Sequence, residues 1–315
     1  MGKKNTASLI AFFSLAAALS LRGAALPVRA AQGLEVSPSR TEARVQPGER
    51  FSYEVKVKNV VPEAVTTQMV ADDFTAKGED GTVAESDATS PSTRSTLKAW
   101  VQPRPPLELA PLETKVVTLT VQVPKNAEPG GHYGVVRFTS LKSSSASDNA
   151  FSSSIGSLLL LTVTGDIKEH LNLSDFSATR DGKAGRVFYG GPLELRERLH
   201  NDGSVHERPE GMVEIKDWRG KSVVSLPLNP LSGAILPDST RAFTQAWQPS
   251  SWLPGRYSAT LRLSYGSQGS VQYIERTFSL WVVPIKTLLP LALLLTFGVL
   301  LAVLRRFRKR SLVKR

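Results

Sequence analysis

Chemistry in this 315-residue chain would have to come from a short inventory. Its four histidines are His132, His170, His200 and His206. His200 and His206 flank Asn201-Asp202-Gly203-Ser204-Val205, with Glu207 next in line, and these residue types can hold a divalent metal. Their spacing fits no established ligand motif, and Asn, Asp and Gly in that order equally describe a turn between strands. Asp72, Asp73, Glu79, Asp80, Glu85 and Asp87 form an acidic cluster without the alternating carboxylate order of a calcium loop, so it reads as a solvated loop. The chain has no cysteine, hence no thiol nucleophile and no thiolate zinc site. G-x-S-x-G, the P-loop, the dinucleotide fingerprint and H-E-x-x-H are all absent. No catalytic set, metal, cofactor or small-molecule substrate is expected. Trp100 and Trp247 sit in strand patterns and are expected in cores. Trp252, beside Pro254-Gly255, is placed either to contact a ligand or to pack over its turn.

The formal charge of +11 suggests a nucleic-acid partner until the charges are located. All 28 acidic residues lie between Ala31 and Pro284, whereas four of the 39 Lys and Arg precede Ala31 and eight lie from Lys286 onward. The middle of the chain is close to neutral, so no basic face for phosphates is expected.

The elements that must position these residues are strands. In "FSYEVKVKN" (51–59), Phe51, Tyr53, Val55 and Val57 alternate with Ser52, Glu54, Lys56 and Lys58, and "VVTLTVQVP" (116–124) repeats the pattern. Three phrases recur in order. "FSYEVKVKN" answers to "LELRERLHN" (193–201), which pairs Asn59 with Asn201. Ala110-Pro111 answers to Leu236-Pro237. "EPGGHYGVVRF" (128–138) answers to "LPGRYSATLRL" (253–263). Such order argues for two copies of one fold. Gly130 and Gly255 supply the turns, and Tyr133 and Tyr257 are expected as corner tyrosines of a sandwich, ring buried and hydroxyl on backbone. The fold class is therefore all-β: two tandem immunoglobulin-like β-sandwich domains, at about 33–165 and 166–283. Two polar loops, 75–95 and 142–154, are expected to be irregular.

The termini read as export and anchorage. Residues 1–30 resemble a signal peptide, with cleavage expected between Ala30 and Ala31; an uncleaved anchor is the alternative. Residues 284–304 form a transmembrane helix, bordered by Trp281 and Lys286 at one interface. The basic tail, 305–315, includes Arg305, Arg306, Arg308, Lys309 and Arg310, and the positive-inside rule places it in the cytoplasm with the sandwiches outside the plasma membrane.

"LEVSPSRTEARVQPGERFSYEVKVKN", "LKAWVQP" and "LELAPLETKVVTLTVQVPKNAEPGGHYGVVRF", followed by an apolar strand at 155–164, resemble the first domain of the WxL-interacting bacterial surface proteins. The second half departs from that family and looks like the membrane-proximal domain of other envelope proteins. The resemblance implies a non-catalytic, membrane-anchored surface protein whose ectodomain binds cell wall (peptidoglycan) or another envelope protein, with binding expected in the first domain and its loops. The alternative is a chaperone-like surface-assembly factor acting by β-strand addition, which requires an accessible strand edge.

Overall fold

The computed structural model describes residues 33–85, 97–141, 154–249, 255–267 and 271–312. The signal segment with Ala30 and Ala31, most of the Ser-rich loop at 142–154, and Trp252 lie outside the described residues, as do the side chains of Arg306, Arg308, Lys309 and Arg310.

The first sandwich is built from β1 (Leu34–Ser37), β2 (Arg40–Val45), β3 (Arg50–Asn59), β4 (Val65–Lys77), β5 (Thr82–Glu85), β6 (Leu107–Leu109), β7 (Thr114–Gln122), β8 (Gly130–Ser140) and β9 (Ser154–Val163), with the short helix α1 (Leu97–Trp100) before β6. One sheet runs β1-β3-β7 and the other β2-β9-β8-β4-β5, with β6 pairing β4. The alternation of β3 turns Tyr53, Val55 and Val57 inward. With Leu119 and Val121 they meet Val136, Phe138, Leu159 and Leu161 of the facing sheet. Each such side chain fully buried contributes about 1.5–3 kcal/mol.

The first strand changes sheets. β1 is antiparallel to β3, and then β2, beyond Pro38, runs parallel to β9. Proline has no N–H to donate, so the ladder breaks where the chain crosses over.

The second sandwich repeats this plan with β10 (Leu171–Arg180), β11 (Lys183–Gly185), β12 (Val187–Phe188), β13 (Leu193–Asn201), β14 (Glu210–Lys216), β15 (Ser222–Pro227), β16 (Thr240–Trp247), β17 (Gly255–Tyr265) and β18 (Gln272–Val282). β11-β10-β13-β16 faces β12-β18-β17-β14-β15, and β12 is parallel to β18 as β2 is to β9. The chain is thus all-β, two sandwiches followed by one C-terminal helix, α2 (Ile285–Leu312). Residues Leu288–Arg305 of α2 have a mean hydropathy of 2.3 and none is buried, which makes the helix long and apolar enough to cross a membrane.

The repeat is visible at atomic level. Asn59 donates to the carbonyls of Glu63 and Ala110 and accepts the Val61 N–H. Asn201 donates to the carbonyls of Val205 and Ile235 and accepts the Gly203 N–H. The following turns also match, with Leu112 at φ 58° and Asp238 at φ 56°. Asn201→Ala should cost about 2–4 kcal/mol in urea unfolding, because three buried backbone groups lose their partner. A loss under about 1 kcal/mol would mean that water takes the side chain's place.

Three expectations need correction. Tyr133 does not superpose on Tyr257. Gly130 pairs Val163 and Gly255 pairs Val282, so His132 is the equivalent of Tyr257. The extra residue in Pro129-Gly130-Gly131-His132 turns Tyr133 to the outer face of its sheet. His132 takes the core position, 4.4 Å from the Trp100 ring, as Tyr257 lies 5.1 Å from Trp247. Trp100 is buried as expected, but on α1 and not on a strand. The described part of the loop at 75–95 is not irregular, for β4 continues to Lys77 and returns as β5, a hairpin turning at Gly78–Gly81, while residues 86–95 lie outside the described residues.

Candidate functional site

Two features of the first sandwich bear on function: an unpaired strand edge and the seam against the second sandwich.

The edge follows from the strand switch. β2 covers β9 only from Leu158 to Val163, and its ladder starts with the Leu158 N–H on the Ser39 carbonyl, 2.9 Å. Upstream, the first strand has left for the other sheet, and Ser157 meets only the Pro38 carbonyl through its hydroxyl, 2.7 Å. Backbone groups alternate in direction along a strand, so Gly156 and Ser154 point the same way as Leu158. β1 passes close to this stretch, but among the described residues no strand is hydrogen-bonded to β9 from Ser154 to Ser157 on that side, while β8 pairs the other. The stretch carries no charge. The equivalent edge of β18 is longer, because β12 reaches only Trp281 and Val282. It carries Glu275 and Arg276, and Glu275 is paired with Arg262 at 3.2 Å, the kind of charge that blunts an edge against strand addition.

The seam is held at three points. The tip of the β4–β5 hairpin places Glu79 against Arg196, 3.1 Å, and in a two-pronged contact with Arg198, while its carbonyl accepts the Ala242 N–H of β16, 2.8 Å. The Arg198 guanidinium holds the Glu79 carboxyl below its ordinary range. Phe74, Tyr133 and Leu160 on the outer face of the first sandwich pack on Leu236 of the second. Tyr133 also stands edge-on to His206, with its hydroxyl 3.4 Å from Nδ1. Finally, Glu42 pairs with Arg208 and lies 3.6 Å from His206, and the Gly131 N–H donates to the Ser204 carbonyl, 2.8 Å. Burial, with Arg40 and Arg44 nearby, pushes the His206 imidazole down to about 4, so it is neutral here at neutral pH. Burial beside Glu169 raises Glu207 to about 7. Between hairpin and seam lies a cleft of about 270 Å³, lined by Arg40, Arg241, Phe74, Leu158, Leu160 and Leu236.

These positions redistribute the sequence candidates. Glu79 belongs to a clamp between domains and not to a solvated loop, whereas Asp80 is exposed and accepts the Thr82 N–H of its own hairpin, 2.9 Å. His200 bonds Thr240 and lies 3.4 Å from Asp202, whereas His206 faces Tyr133 and Glu42, so the two histidines serve different neighbours. Gly130 and Gly255 open β8 and β17. Trp281 is exposed at the end of β18, two residues before the linker to α2. Sequence reasoning missed Arg196 and Arg198, whose signal was available: they sit on outward positions of β13, where two adjacent guanidinium groups ask for an acid.

No family model matches the chain, and no curated protein matches it. Among solved structures it is similar to the class 5 fimbriae chaperone CfaA at 13% identity and TM-score 0.42, covering 78% of this chain and 98% of that one. It is also similar to the E. coli chaperone DraB at 13% and 0.35, covering 77% and 96%. The Salmonella enterica SafA pilin in complex with the SafB chaperone matches at 10% and 0.36, covering 78% and 96%. The expectation of a surface protein that binds cell wall or another envelope protein through its sandwiches is corrected here. All three of these structures are of chaperones, the class that the alternative reading named.

Proposed function

We propose that this chain is a membrane-tethered assembly factor that holds an exported polypeptide by adding the partner's strand to β9. The observation that supports it is the uncharged edge from Ser154 to Ser157, left open by the departure of the first strand at Pro38. Backbone N–H and C=O groups of Ser154 and Gly156 are the donors and acceptors on offer. Such a contact draws affinity from main-chain bonds and selectivity from alternate side chains. Ile155, partly buried against the first core, is the surface that an inward side chain of the partner strand would cover. The clamp at Glu79 holds the two sandwiches in one arrangement while a client is bound. α2 serves as tether, with Arg305 and the following basic residues on the cytoplasmic side and both sandwiches on the outer side.

The test is amide hydrogen exchange on the full chain in detergent, with and without synthetic peptides of alternating Val and Thr. Binding should slow exchange at Ser154 and Gly156. Peptides that bind while protecting Thr277 and Ser279 of β18, or no strand edge at all, would overturn the assignment.

A further inference from the structure

The second sandwich ends in a rim of exposed aromatic and basic side chains, and it is the end from which α2 departs. β18 stops at Val282, and α2 begins at Ile285, with only Val283 and Pro284 between. The Val283 N–H is tied to the Phe188 carbonyl, 2.8 Å, and the Leu288 N–H to the Pro284 carbonyl, 3.1 Å, so the junction is bonded on both sides. At the same end, Val187 pairs Trp281, and Tyr189 follows β12. β14 runs antiparallel to β17, whose first residue Gly255 pairs Val282, so the turn after Lys216 reaches this end as well and carries Trp218. Val187, Tyr189, Trp218 and Trp281 are each more than half exposed. Among the described residues, Tyr273 is the one exposed tyrosine or tryptophan of this sandwich at the opposite end of β18.

The charge at this end is mostly basic. Lys183, Arg186 and Lys286 stand there with Arg180, whose neighbour Asp181 is the exposed acid of the β10–β11 turn, 3.6 Å away, and residues 182–192 and 277–315 contain no acid. Arg219 stacks on Trp218 at 4.7 Å, and Lys221 closes the same turn. Its one acid, Asp217, is occupied as an acceptor for the N–H groups of Arg219 and Lys221.

From this geometry we infer that the second sandwich does not stand clear of the bilayer but is seated in its headgroup layer. The occupant of the rim is the lipid surface that α2 enters. The inference rests on the reading of α2 as a span. Two extended residues reach at most about 7 Å. The polar layer on one side of a bilayer is itself on the order of 5–8 Å deep, from a total of about 40–45 Å around a core of about 30 Å. A linker this short spans little more than that layer, so the rim stands within it or against it. Tyr and Trp favour it, apolar body inward and polar edge outward, and Lys and Arg pair there with anionic headgroups.

The chain contains no cysteine, so single cysteines can be placed and spin-labelled without background. The full chain is set in nanodiscs of phosphatidylethanolamine and phosphatidylglycerol, one chain per disc, with labels at V187C, L294C and Y273C. Collision with a water-soluble nickel chelate is then compared with collision with oxygen. L294C should be shielded from nickel, Y273C open to it, and V187C shielded at least about five-fold relative to Y273C. Combining Tyr189→Ser, Trp218→Ser and Trp281→Ser with V187C should return that label toward the Y273C value. If V187C is as open as Y273C while L294C is shielded, the span stands and the seating is wrong. If L294C is open to nickel, the span reading fails and the inference with it. Shielding at V187C that the triple substitution leaves unchanged also overturns it, because the rim would not be what holds the label down.

Discussion

Ser154→Pro is expected to weaken capture of a strand-forming client by at least about ten-fold, or about 1.4 kcal/mol, without unfolding the first sandwich. The N–H that proline removes points to the open edge and not to β8, so no internal ladder bond is lost. Only the side-chain contact with Thr139 at 3.0 Å disappears, and it is exposed. Stability should change by no more than about 1 kcal/mol. Gly156→Pro would be a poorer probe, because a Cβ there meets Val135 and Arg137 at 2.7 and 3.1 Å. Binding of alternating Val/Thr peptides, measured by fluorescence anisotropy, separates the outcomes. Unchanged affinity in a folded Ser154→Pro chain would remove β9 from the mechanism.

The second large effect is on stability. Glu197 projects from β13 into the second core between Leu195 and Leu199, fully buried. Neither carboxyl oxygen has a hydrogen-bond partner, and the neighbouring Gln245 amide oxygen has none either. Burial raises the Glu197 carboxyl from the ordinary 4.5 to about 8, against a smaller opposing effect of Gln245. The folded chain therefore keeps a proton that the unfolded chain releases. The contribution of this carboxyl to stability is greatest below pH ~4.5, falls by about 1.4 kcal/mol per unit as pH rises toward ~8, and is flat above, a total on the order of 4–5 kcal/mol. Glu197→Gln should remove this contribution and leave those of Glu207 and His206. In urea unfolding the variant should be several kcal/mol more stable than the native chain at pH 8, and the two should converge near pH 4.5. Parallel curves across that range would show that the carboxyl is solvated in the folded state.

The sequence made the sandwiches legible because one face of each strand is buried and the other is not, as in β3 and β7. It made the duplication legible because Asn59 and Asn201 need the same residue type to satisfy the same three backbone groups. The register at Tyr133 was not legible. A one-residue insertion before a strand leaves the phrase recognisable and yet moves every side chain to the opposite face. The hairpin at the start of the polar loop escaped for a different reason. Residues 75–85 carry almost no apolar alternation, since what holds the tip is Arg196, Arg198 and the edge of β16, over a hundred residues away in the chain. The open edge of β9 was equally hidden. Nothing in Ser154-Ile155-Gly156-Ser157 says that its neighbour has gone; that information lies in Pro38. The likeness to WxL-interacting proteins lay in the phrases of the first half, which also suit the packing of a strand-switched sandwich.

The junction of β18 with α2 also determines how the molecule responds to a pull. β18 lies along β17 through eleven paired residues, from Gln272 opposite Tyr265 to Val282 opposite Gly255. Its C-terminal end leads straight into the helix. With a client held on the first sandwich and α2 in a bilayer, as proposed, tension between the two would run along the axis of β18. The hydrogen bonds of that ladder lie across the axis, so they are loaded side by side in shear and not peeled one after another. A strand meeting its tether at a right angle would unzip from one end at low force. Here the ladder resists as a unit, and the contact most exposed to load becomes the short one at the edge of β9, so that the client lets go before its holder comes apart.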